Sequence, residues 1–369
     1  MQGEAHRAPA SLDRSCATCS IAPPHILARF AEEGDEDERR AALKTIVASG
    51  SIRSRRGVVT QVVRNLDAAT RGLAFLRPPA GESRTVFDVQ HGTSAELPGQ
   101  RVRGDGDAES DDPAVNQAYD GSGDTYDYYR EVHERDSVDG NGLELVSTVH
   151  FGNAFDNAFW NGTQMVYGDG SGQLFRAGSL TESLDVIAHE LTHGVTQFTA
   201  GLEYRTQSGA LNESFSDVFG SLVKQWKGKE TADQADWLIG EGIFAGRLEG
   251  QSLRSLKSPG DANDFDNQPA RMSDFVELPD DNDPANDNGG VHINSGIPNH
   301  AFFLVATALG GHAWEKAGRI WYGALTARLQ PDSDFAACAE ATLSVAEELF
   351  GTGAEHDAVG NAWREVGVL

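Results

Sequence analysis

Residues 185–217 read DVIAHELTHGVTQFTAGLEYRTQSGALNESFSD and contain three potential metal ligands. His189 and His193 are four residues apart, so on a helix both imidazoles project from one face and can share a single ion. Glu190 lies beside them without being required as a ligand. Because two histidines at this spacing also occur in ordinary helices, the H-E-x-x-H motif needs support from other residues before it indicates catalysis.

A third ligand follows on a second segment. Glu213 lies twenty residues after His193, in the apolar periodic run 211–226, beyond a polar turn with Ser208 and Gly209. Two imidazoles and one carboxylate leave the fourth position of a zinc ion open for water, which distinguishes a catalytic zinc site from a closed structural one. We expect one zinc ion to be bound by these three residues, with Glu190 as the general base that takes the water proton and passes it to the leaving nitrogen.

Four motifs together resemble the thermolysin-like metalloproteases. They are HELTH with GALNESFSD, NAFWNG at 157–162, SLRS at 252–255 and DNGGVHINSGI at 287–297. The motifs follow the family's order and cover about residues 85–369. With its long leader the chain is most similar to the protealysin-type branch, in which a leader containing P-P-x-x-L is a short propeptide removed on maturation; PPHIL occupies residues 23–27.

The resemblance implies an α+β, two-lobed fold with the active-site helix between the lobes. We expect a small helical propeptide at 1–80, a mixed, β-rich lobe at 81–204 and a mainly helical lobe at 205–369. Residue patterns agree with this division, since short alternating runs occupy 85–114 and β-branched residues occupy 145–152. An irregular strand at 157–169 would lie at the cleft edge. Helical spacing predicts helices at 25–30, 37–47, 115–135, 211–226, 234–246, 295–309, 312–329, 333–350 and 355–366.

The same resemblance assigns roles around the metal. His292 and Tyr204 would stabilise the oxyanion, and Asp287 would orient or charge the imidazole of His292. Asn212 and Asp217 would satisfy the second ring nitrogens of the two metal-bound histidines.

Further positions correspond to the family's substrate-binding residues. Asn157, the backbone of Ala158 and Arg254 would hold the main chain of an extended peptide. An apolar pocket would receive the side chain that follows the scissile bond and would favour a bulky hydrophobic residue there. That pocket consists of Val186, Ile239, Ile243 and Leu253.

The chain departs from the thermolysin pattern at the family's double calcium site. The counterparts there are Asp185, Lys224, Asp236, Leu238 and Glu241, and the lysine and leucine break the acidic set. We expect the ammonium of Lys224 to replace at least one calcium, because carboxylates left unpaired at close range repel one another. A single calcium ion held by the three acids is the alternative.

Composition limits the partners and the location. The formal net charge of −26, with only six lysines, disfavours nucleic acids and anionic membranes. We expect peptide and protein substrates, the leader as an intramolecular inhibitor, and a monomer. No apolar run of about eighteen residues predicts a membrane span, and the first thirty residues lack a secretory signal pattern. Secretion by a route without a standard signal peptide, or a cytoplasmic location, would follow.

The chain has three cysteines, two of them in the leader, and the leader also carries signals of an exposed linker. Three cysteines cannot form a disulfide framework. Cys16 and Cys19 could be redox-active, metal-binding or inert, and Cys338 is expected to be a small buried side chain. Three arginines at 53, 55 and 56 and the PPAG stretch at 78–81 indicate an exposed linker that proteases could cut.

Two other functions share parts of this pattern. A zinc aminopeptidase has H-E-x-x-H and a distant glutamate, but also an upstream G-x-M-E-N motif that this sequence lacks. A non-catalytic binding protein with the same fold would normally have lost Glu190 or a ligand. A zinc endopeptidase made as a self-inhibited precursor is therefore the interpretation that the residues favour.

Overall fold

The computed structural model describes residues 20–50, 52, 81–281 and 283–369. The leader contributes α1 (Pro24–Glu33) and a second helix, α2, at residues 36–50, with residue 52 also helical. Both predicted leader helices are therefore confirmed. Pro23 and Pro24 start α1 because proline is compatible with the first turn of a helix, where no intrahelical N–H donor is needed.

A five-stranded mixed sheet forms the N-terminal lobe, in the order β2-β1-β3-β5-β4. Strand β1 pairs antiparallel with β2 and parallel with β3, while β5 pairs parallel with β3 and antiparallel with β4. The predicted irregular strand at 157–169 is thus the β4–β5 hairpin, which lies at the sheet edge. The bounds are β1 Arg84–Asp88, β2 Gln100–Gly104, β3 Leu145–Val149, β4 Ala158–Trp160 and β5 Met165–Tyr167.

Helix α3 (Pro113–His133) packs on this sheet and against the helix that bears the H-E-x-x-H motif. Asp112 caps its first turn by accepting a hydrogen bond from the Ala114 N–H, and Glu134 ends it in the left-handed conformation. Its tyrosines at 128 and 129 are buried because they face the helices on the other side, where both rings pack against Phe219.

The motif helix is α5 (Leu184–Gln197), preceded by the short α4 (Ser179–Glu182). Every residue from Asp185 to Thr196 is buried, so α5 is a core helix. Helix α6 (Thr206–Gly228) packs against it, and a glycine permits the close approach: a Cβ added at Gly220 would lie 2.7 Å from the Asp185 carbonyl oxygen.

The C-terminal lobe is mainly helical, as expected. Its helices are α7 (Asp287–Asn294), α8 (Gly296–Leu309), α9 (Ala317–Ala327), α10 (Phe335–Phe350) and α11 (Ala354–Glu365). The stacked rings of Trp321 and Trp363, 6.1 Å apart, join α9 and α11 in the core.

The predicted helix at 234–246 is wrong. This segment contains β6 (Leu238–Ile239), which pairs antiparallel with β7 (Arg254–Ser255). Gly240 and Gly242 have φ angles of +64° and +67°, in the left-handed region that interrupts a right-handed helix. The apolar side chains of this segment are spaced as on a helix, but they belong to a strand and a turn and are buried in the core.

Candidate active site

The three predicted metal ligands converge at the junction of α5 and α6. His189 Nε2 and His193 Nε2 lie 3.1 Å apart, as expected for residues one helical turn apart on the same face. Glu213, from α6, places Oε2 3.5 Å from His189 Nε2 and Oε1 3.5 Å from His193 Nε2. All three side chains are buried.

These spacings fit a tetrahedral zinc ion. Zinc–ligand bonds of about 2.0–2.1 Å at tetrahedral angles separate neighbouring ligand atoms by about 3.3 Å. Glu213 Oε2 is buried and accepts no hydrogen bond from the described residues, which leaves it available to a cation. The donor set of two imidazoles and one carboxylate is that of a catalytic zinc site with an open position.

Each metal-facing imidazole is fixed through its other nitrogen. His189 Nδ1 lies 2.8 Å from Asp217 Oδ1, and His193 Nδ1 lies 2.8 Å from Asn212 Oδ1. Both contacts match the sequence expectation. Ser216 Oγ, which sequence reasoning missed, lies 3.0 Å from His193 Nδ1. These partners orient both Nε2 lone pairs towards one point.

The electrostatic environment favours a cation at that point. Burial lowers the pKa of His189, but the carboxylates of Asp217 and Glu213 raise it to about 9 in net effect. The same negative charge attracts a metal ion, which would take the place of the proton on Nε2. Burial raises the pKa of Glu213, yet the three neighbouring histidines hold it well below its usual range, so this carboxylate is ionised.

Glu190 lies beside the ligands without replacing Glu213. One carboxylate oxygen of Glu190 and one imidazole nitrogen each of His189 and His193 lie within 4.8 Å of one another. Its Oε2 accepts a hydrogen bond of 2.9 Å from the Trp160 backbone N–H. That bond, which sequence reasoning missed although Trp160 is part of the NAFWNG motif, holds the carboxylate between the edge strand β4 and the metal site.

His292 and Tyr204 meet on the other side of Glu213. The Tyr204 hydroxyl donates to Glu213 Oε1 and lies 3.1 Å from His292 Nε2. Asp287 Oδ1 lies 2.6 Å from His292 Nδ1, and Asp287 Oδ2 accepts the His292 backbone N–H. Burial lowers the pKa of His292, but the carboxylates of Asp287 and Glu213 outweigh it and raise the pKa above its ordinary value.

A left-handed backbone turn makes the Asp287–His292 pair possible. Asn288, Gly289 and Gly290 have φ angles of +50°, +82° and +81°, so the start of α7 folds back and brings the carboxylate to the imidazole five residues later. The two glycines tolerate this conformation without a steric penalty.

Arg254 is buried and pairs with the carboxylate of Asp217. Its guanidinium forms a bidentate pair with Asp217, with Nε and Nη2 each 2.8 Å from a carboxylate oxygen. Asn299 Nδ2 donates a further hydrogen bond to Asp217. Burial raises the pKa of Asp217, but Arg254 and His189 lower it to about 2. One carboxylate therefore orients both a metal ligand and the predicted substrate-binding arginine.

Residues 20–22 of the leader lie in the cleft against the edge strand β4, and the chain bends at Ile21 and Ala22. Ser20 bridges antiparallel to Phe159 of β4. The Ile21 N–H donates to the Ala158 carbonyl at 3.2 Å, and the Ala22 N–H donates to Asn157 Oδ1 at 3.0 Å. These contacts use the backbone and side-chain groups predicted to bind the main chain of a substrate.

The leader also contacts the two residues predicted to hold substrate carbonyls. His292 Nε2 lies 3.2 Å from the Ser20 carbonyl oxygen, and Arg254 Nη1 donates to the Ile21 carbonyl oxygen at 3.3 Å. Ile21 is fully buried in the core cluster that also contains the predicted pocket residues Val186, Ile239, Ile243 and Leu253.

The two leader helices are anchored on both sides of the cleft. Phe30 of α1 packs edge-on against Phe265 with ring centroids 5.2 Å apart. From α2, Thr45 Oγ1 accepts the Asp156 N–H, and Ser49 Oγ lies 3.4 Å from Asn157 Nδ2.

At the predicted cation site near the start of α5, the ammonium of Lys224 lies among three carboxylates, as expected. Lys224 Nζ lies 2.6 Å from Asp236 Oδ2, 3.5 Å from Asp185 Oδ2 and 4.0 Å from Glu241 Oε2. Leu238 contributes only its backbone N–H, which donates to Asp236. Burial lowers the pKa of Lys224, but these carboxylates raise it in net effect, so the ammonium is charged.

Several leader features lie outside the described residues: Cys16, Cys19, the arginines at 53, 55 and 56, and residues 78–80 of the linker. Cys338 is described and is fully buried in α10, as predicted, and burial raises the pKa of its thiol. Within the part of the chain that the structure describes, no helix combines the length and the apolar character needed to cross a membrane.

Comparison with known proteins gives a consistent result. Residues 67–197 match the thermolysin metallopeptidase catalytic domain, and residues 200–368 match the thermolysin metallopeptidase alpha-helical domain. An extracellular metalloprotease of Pectobacterium carotovorum subsp. carotovorum is 43% identical over 96% of this chain and 98% of its own length. A thermolysin of Alicyclobacillus acidocaldarius subsp. acidocaldarius is 41% identical over 78% of this chain, which spans half of that relative.

A solved structure is similar over nearly the whole chain. The precursor of protealysin, a metalloproteinase from Serratia proteamaculans, superposes with a TM-score of 0.81 at 44% identity. The match covers 95% of this chain and 100% of that one. It includes the leader, so the helical N-terminal segment belongs to the shared fold.

Proposed function

The chain belongs to the thermolysin metallopeptidase family, and from this premise we propose that it is a zinc-dependent neutral endopeptidase made as a self-inhibited precursor. The protealysin precursor, with its matching leader, supports the precursor form. The convergence of His189, His193 and Glu213 carries the proposal, because two imidazoles and a carboxylate at 3.1–3.5 Å suit one catalytic zinc ion. Residues 1–80, 81–204 and 205–369 would be the propeptide and the two lobes.

Glu190 would perform the proton transfers. A zinc ion at this site supplies Lewis-acid polarisation of a carbonyl and lowers the pKa of water to about 7. The Glu190 carboxylate, held by the Trp160 N–H, would accept the proton from the attacking water and deliver it to the leaving nitrogen. This carboxylate is not one of the three proposed ligands, so its role in proton transfer does not compete with holding the ion.

Negative charge develops on the scissile carbonyl oxygen and needs donors. His292 Nε2 already lies within hydrogen-bond distance of a peptide carbonyl, that of Ser20, and the Tyr204 hydroxyl lies 3.1 Å from the same nitrogen. Asp287 would keep the His292 imidazole oriented and charged. Loss of one donor of this kind typically slows catalysis by about 10²- to 10³-fold.

The preference for a bulky hydrophobic residue after the scissile bond follows from the pocket. Val186, Ile239, Ile243 and Leu253 are fully buried and apolar, and they share a core cluster with Ile21 of the leader. An apolar side chain gains about 25 cal/mol for each Å² that it buries there. A charged side chain would lose its hydration without a partner.

Self-inhibition is supported by the position of the leader. Residues 20–22 occupy the groups that would bind a substrate, so an external peptide could not reach Arg254, Asn157 and His292 at the same time. Because one relative is described as an extracellular metalloprotease, we further propose that the mature protein acts outside the cell.

Digestion of casein and of a blocked internal peptide tests the function. With the leader removed by limited proteolysis, the zinc-loaded protein should cut both substrates, and a zinc chelator should abolish both activities. Glu190→Gln should lower kcat/KM by about 10²- to 10⁴-fold while zinc content and circular dichroism remain unchanged. Cleavage restricted to free amino termini, or activity that persists in the chelator, would contradict the proposal.

A further inference from the structure

Leader residues 20–22 are held in one specific register with respect to the catalytic groups. We propose that the Ser20–Ile21 peptide bond occupies the position of a scissile bond and is hydrolysed by the protein's own active site, which trims residues 1–20 from the leader. This inference rests on the proposed function and adds a defined modification site to it.

The carbonyl side of this bond faces the oxyanion donor. The Ser20 carbonyl oxygen is 3.2 Å from His292 Nε2, and the same nitrogen lies 3.6 Å from the zinc-ligand atom Glu213 Oε1. Asp287 accepts from the other ring nitrogen, so the Nε2–H faces the Ser20 carbonyl oxygen and the Tyr204 hydroxyl. The Ser20 carbonyl is therefore the leader carbonyl that the metal and His292 would polarise together.

The amine side of the bond is bound over the next two residues. The Ile21 N–H donates to the Ala158 carbonyl, the Ile21 carbonyl accepts from Arg254 Nη1, and the Ala22 N–H donates to Asn157. The Ile21 side chain is 0% exposed, which agrees with an apolar pocket that receives the residue following the cut.

Register is set by the hydrogen bonds of this segment, since Ser20, Ile21 and Ala22 are all buried. A shift by one residue would break the bonds of Ile21 to Ala158 and Arg254 and of Ala22 to Asn157, and would put the smaller Ser20 or Ala22 side chain where Ile21 lies. The antiparallel bridge between Ser20 and Phe159, of which the bond from the Ile21 N–H to the Ala158 carbonyl is part, describes the same register.

The reaction consumes one water molecule. Its oxygen forms a bond to the Ser20 carbonyl carbon as the bond between that carbon and the Ile21 nitrogen breaks. Glu190 takes the water proton and gives it to the Ile21 nitrogen. The products are a peptide of residues 1–20 with a carboxylate at Ser20 and a chain that begins with the amino group of Ile21.

Trimming and inhibition are compatible. Residues 21–50 stay attached through α1 and α2, whose contacts at Phe265, Asp156 and Asn157 do not involve residues 1–20. The cut would therefore precede removal of the leader. Residues 21–50 would still cover the part of the cleft that binds the substrate residues following the scissile bond.

The test uses the full chain loaded with Zn²⁺ and followed by intact-mass spectrometry and amino-terminal sequencing. We expect a product that begins at position 21, formed at a first-order rate that does not change with protein concentration. Glu190→Gln should slow the cut by at least about 100-fold. Ile21→Leu should retain it, and Ile21→Asp should abolish it by placing a charge in an apolar site. A first cut at another bond, or a rate that rises with concentration, would overturn the inference.

Two controls separate this inference from the proposed function. The Ile21→Asp variant should bind its leader less tightly and should hydrolyse a blocked internal peptide faster than the wild type does. If it does so while the Ser20–Ile21 bond of the wild type stays intact, only the inference fails. If neither protein hydrolyses any peptide, both the inference and the proposed function fail.

Hydrogen exchange in the Glu190→Gln variant gives a readout without turnover. The Ile21 and Ala22 amides should be protected from exchange, and Asn157→Ala should remove the protection of Ala22 first. Rapid exchange of both amides in Glu190→Gln would also overturn the register.

Discussion

At the scale of single residues, Asp217 connects metal binding with substrate binding. Its carboxylate accepts hydrogen bonds from His189, from Arg254 through two nitrogens and from Asn299. A buried carboxylate with so many donors is stabilised in its ionised form, in agreement with a pKa of about 2. A change at this position would therefore disturb two functional groups that are 65 residues apart in the sequence.

His150 forms a second, half-buried charge cluster. Its Nδ1 and Nε2 each lie 2.7 Å from a carboxylate oxygen, of Asp169 and Asp112 respectively. The hydrogen bond that His150 donates to Asp169 is the largest cause that raises the pKa of His150 from 6.5 to about 9, against the opposing effect of burial.

This cluster predicts a pH-dependent stability. Because the folded-state pKa is raised, the contribution of His150 is fully present below about pH 6.5 and is lost as the pH rises through about 9. His150→Asn, which tolerates the left-handed φ of +57°, should cost about 1–2 kcal/mol of unfolding free energy at pH 6 after solvent screening, and much less at pH 10. Urea unfolding at both pH values measures the difference; an equal cost at pH 6 and pH 10 would refute it.

Lys224 is the residue that we propose replaces calcium. Lys224→Gln leaves Asp185, Asp236 and Glu241 without a cation, so the variant should be less stable by about 1–2 kcal/mol and should regain stability in millimolar calcium. Thermal unfolding with and without calcium chloride measures this. Lys227→Gln, also on α6, is the matched control and should show neither effect, because Lys227 is more exposed than Lys224 and among the described residues pairs with one carboxylate, that of Asp124. A wild-type protein stabilised by calcium as strongly as the variant would contradict lysine substitution.

At the scale of secondary structure elements, the metal site depends on how closely α5 and α6 approach. The ligands lie on both helices, so their separation sets the distance between Glu213 and the two imidazoles. At Gly220 an added Cβ would lie 2.7 Å from the Asp185 carbonyl oxygen and 3.3 Å from His189 Cβ. Both neighbours belong to the buried helix α5 and cannot move aside easily.

Gly220→Ala should therefore push the two helices apart. We expect a loss of about 1–3 kcal/mol in unfolding free energy, typical of overpacking, and a weaker affinity for zinc. Competition with a chromophoric chelator measures the affinity. Gly228→Ala is the control on the same helix, since its Cβ would meet only the flexible Glu230 side chain and alanine favours helix. Equal zinc affinity in both variants would show that the close approach is unimportant.

At the scale of the whole molecule, the zinc site joins a sheet-bearing lobe to a helical one. Helix α5 packs against α3 and β4, whereas α6 packs against α7, α8 and α9. An ion bound by ligands from both helices would bind the folded protein and not the unfolded chain. Its binding free energy therefore adds to the stability of the whole molecule.

Metal removal should lower the melting temperature. At a free zinc concentration of 100 times Kd the ion contributes about 2.7 kcal/mol, which for a protein of this size corresponds to about 3–4 °C. Differential scanning calorimetry of Glu190→Gln with zinc and after dialysis against a chelator measures the effect without self-digestion. His193→Ala, which lacks a ligand, should show no zinc-dependent shift. An unchanged melting temperature in Glu190→Gln would contradict a structural contribution of the ion.

The sequence by itself determined the family, and it predicted the proposed metal ligands and general base, whose side chains the structure brings together. These features depend on local spacing, because a separation of four residues on a helix places His189 and His193 on one face whatever surrounds them. Helical periodicity likewise predicted most helices of the C-terminal lobe. It failed at 234–246, where Gly240 and Gly242 adopt a left-handed backbone that apolar spacing does not report.

The tertiary structure alone decided the long-range pairings. Periodicity carries no information on which distant groups meet. His292 Nε2 and the Ser20 carbonyl oxygen lie 3.2 Å apart, although the two residues are 272 positions apart in the sequence. The sharing of Asp217 between His189 and Arg254, and the register of Ser20 and Ile21 against β4, likewise depend on how separate elements pack. Hydrogen bonds between distant segments form only after the core has fixed their relative positions, so local sequence patterns could not reveal them.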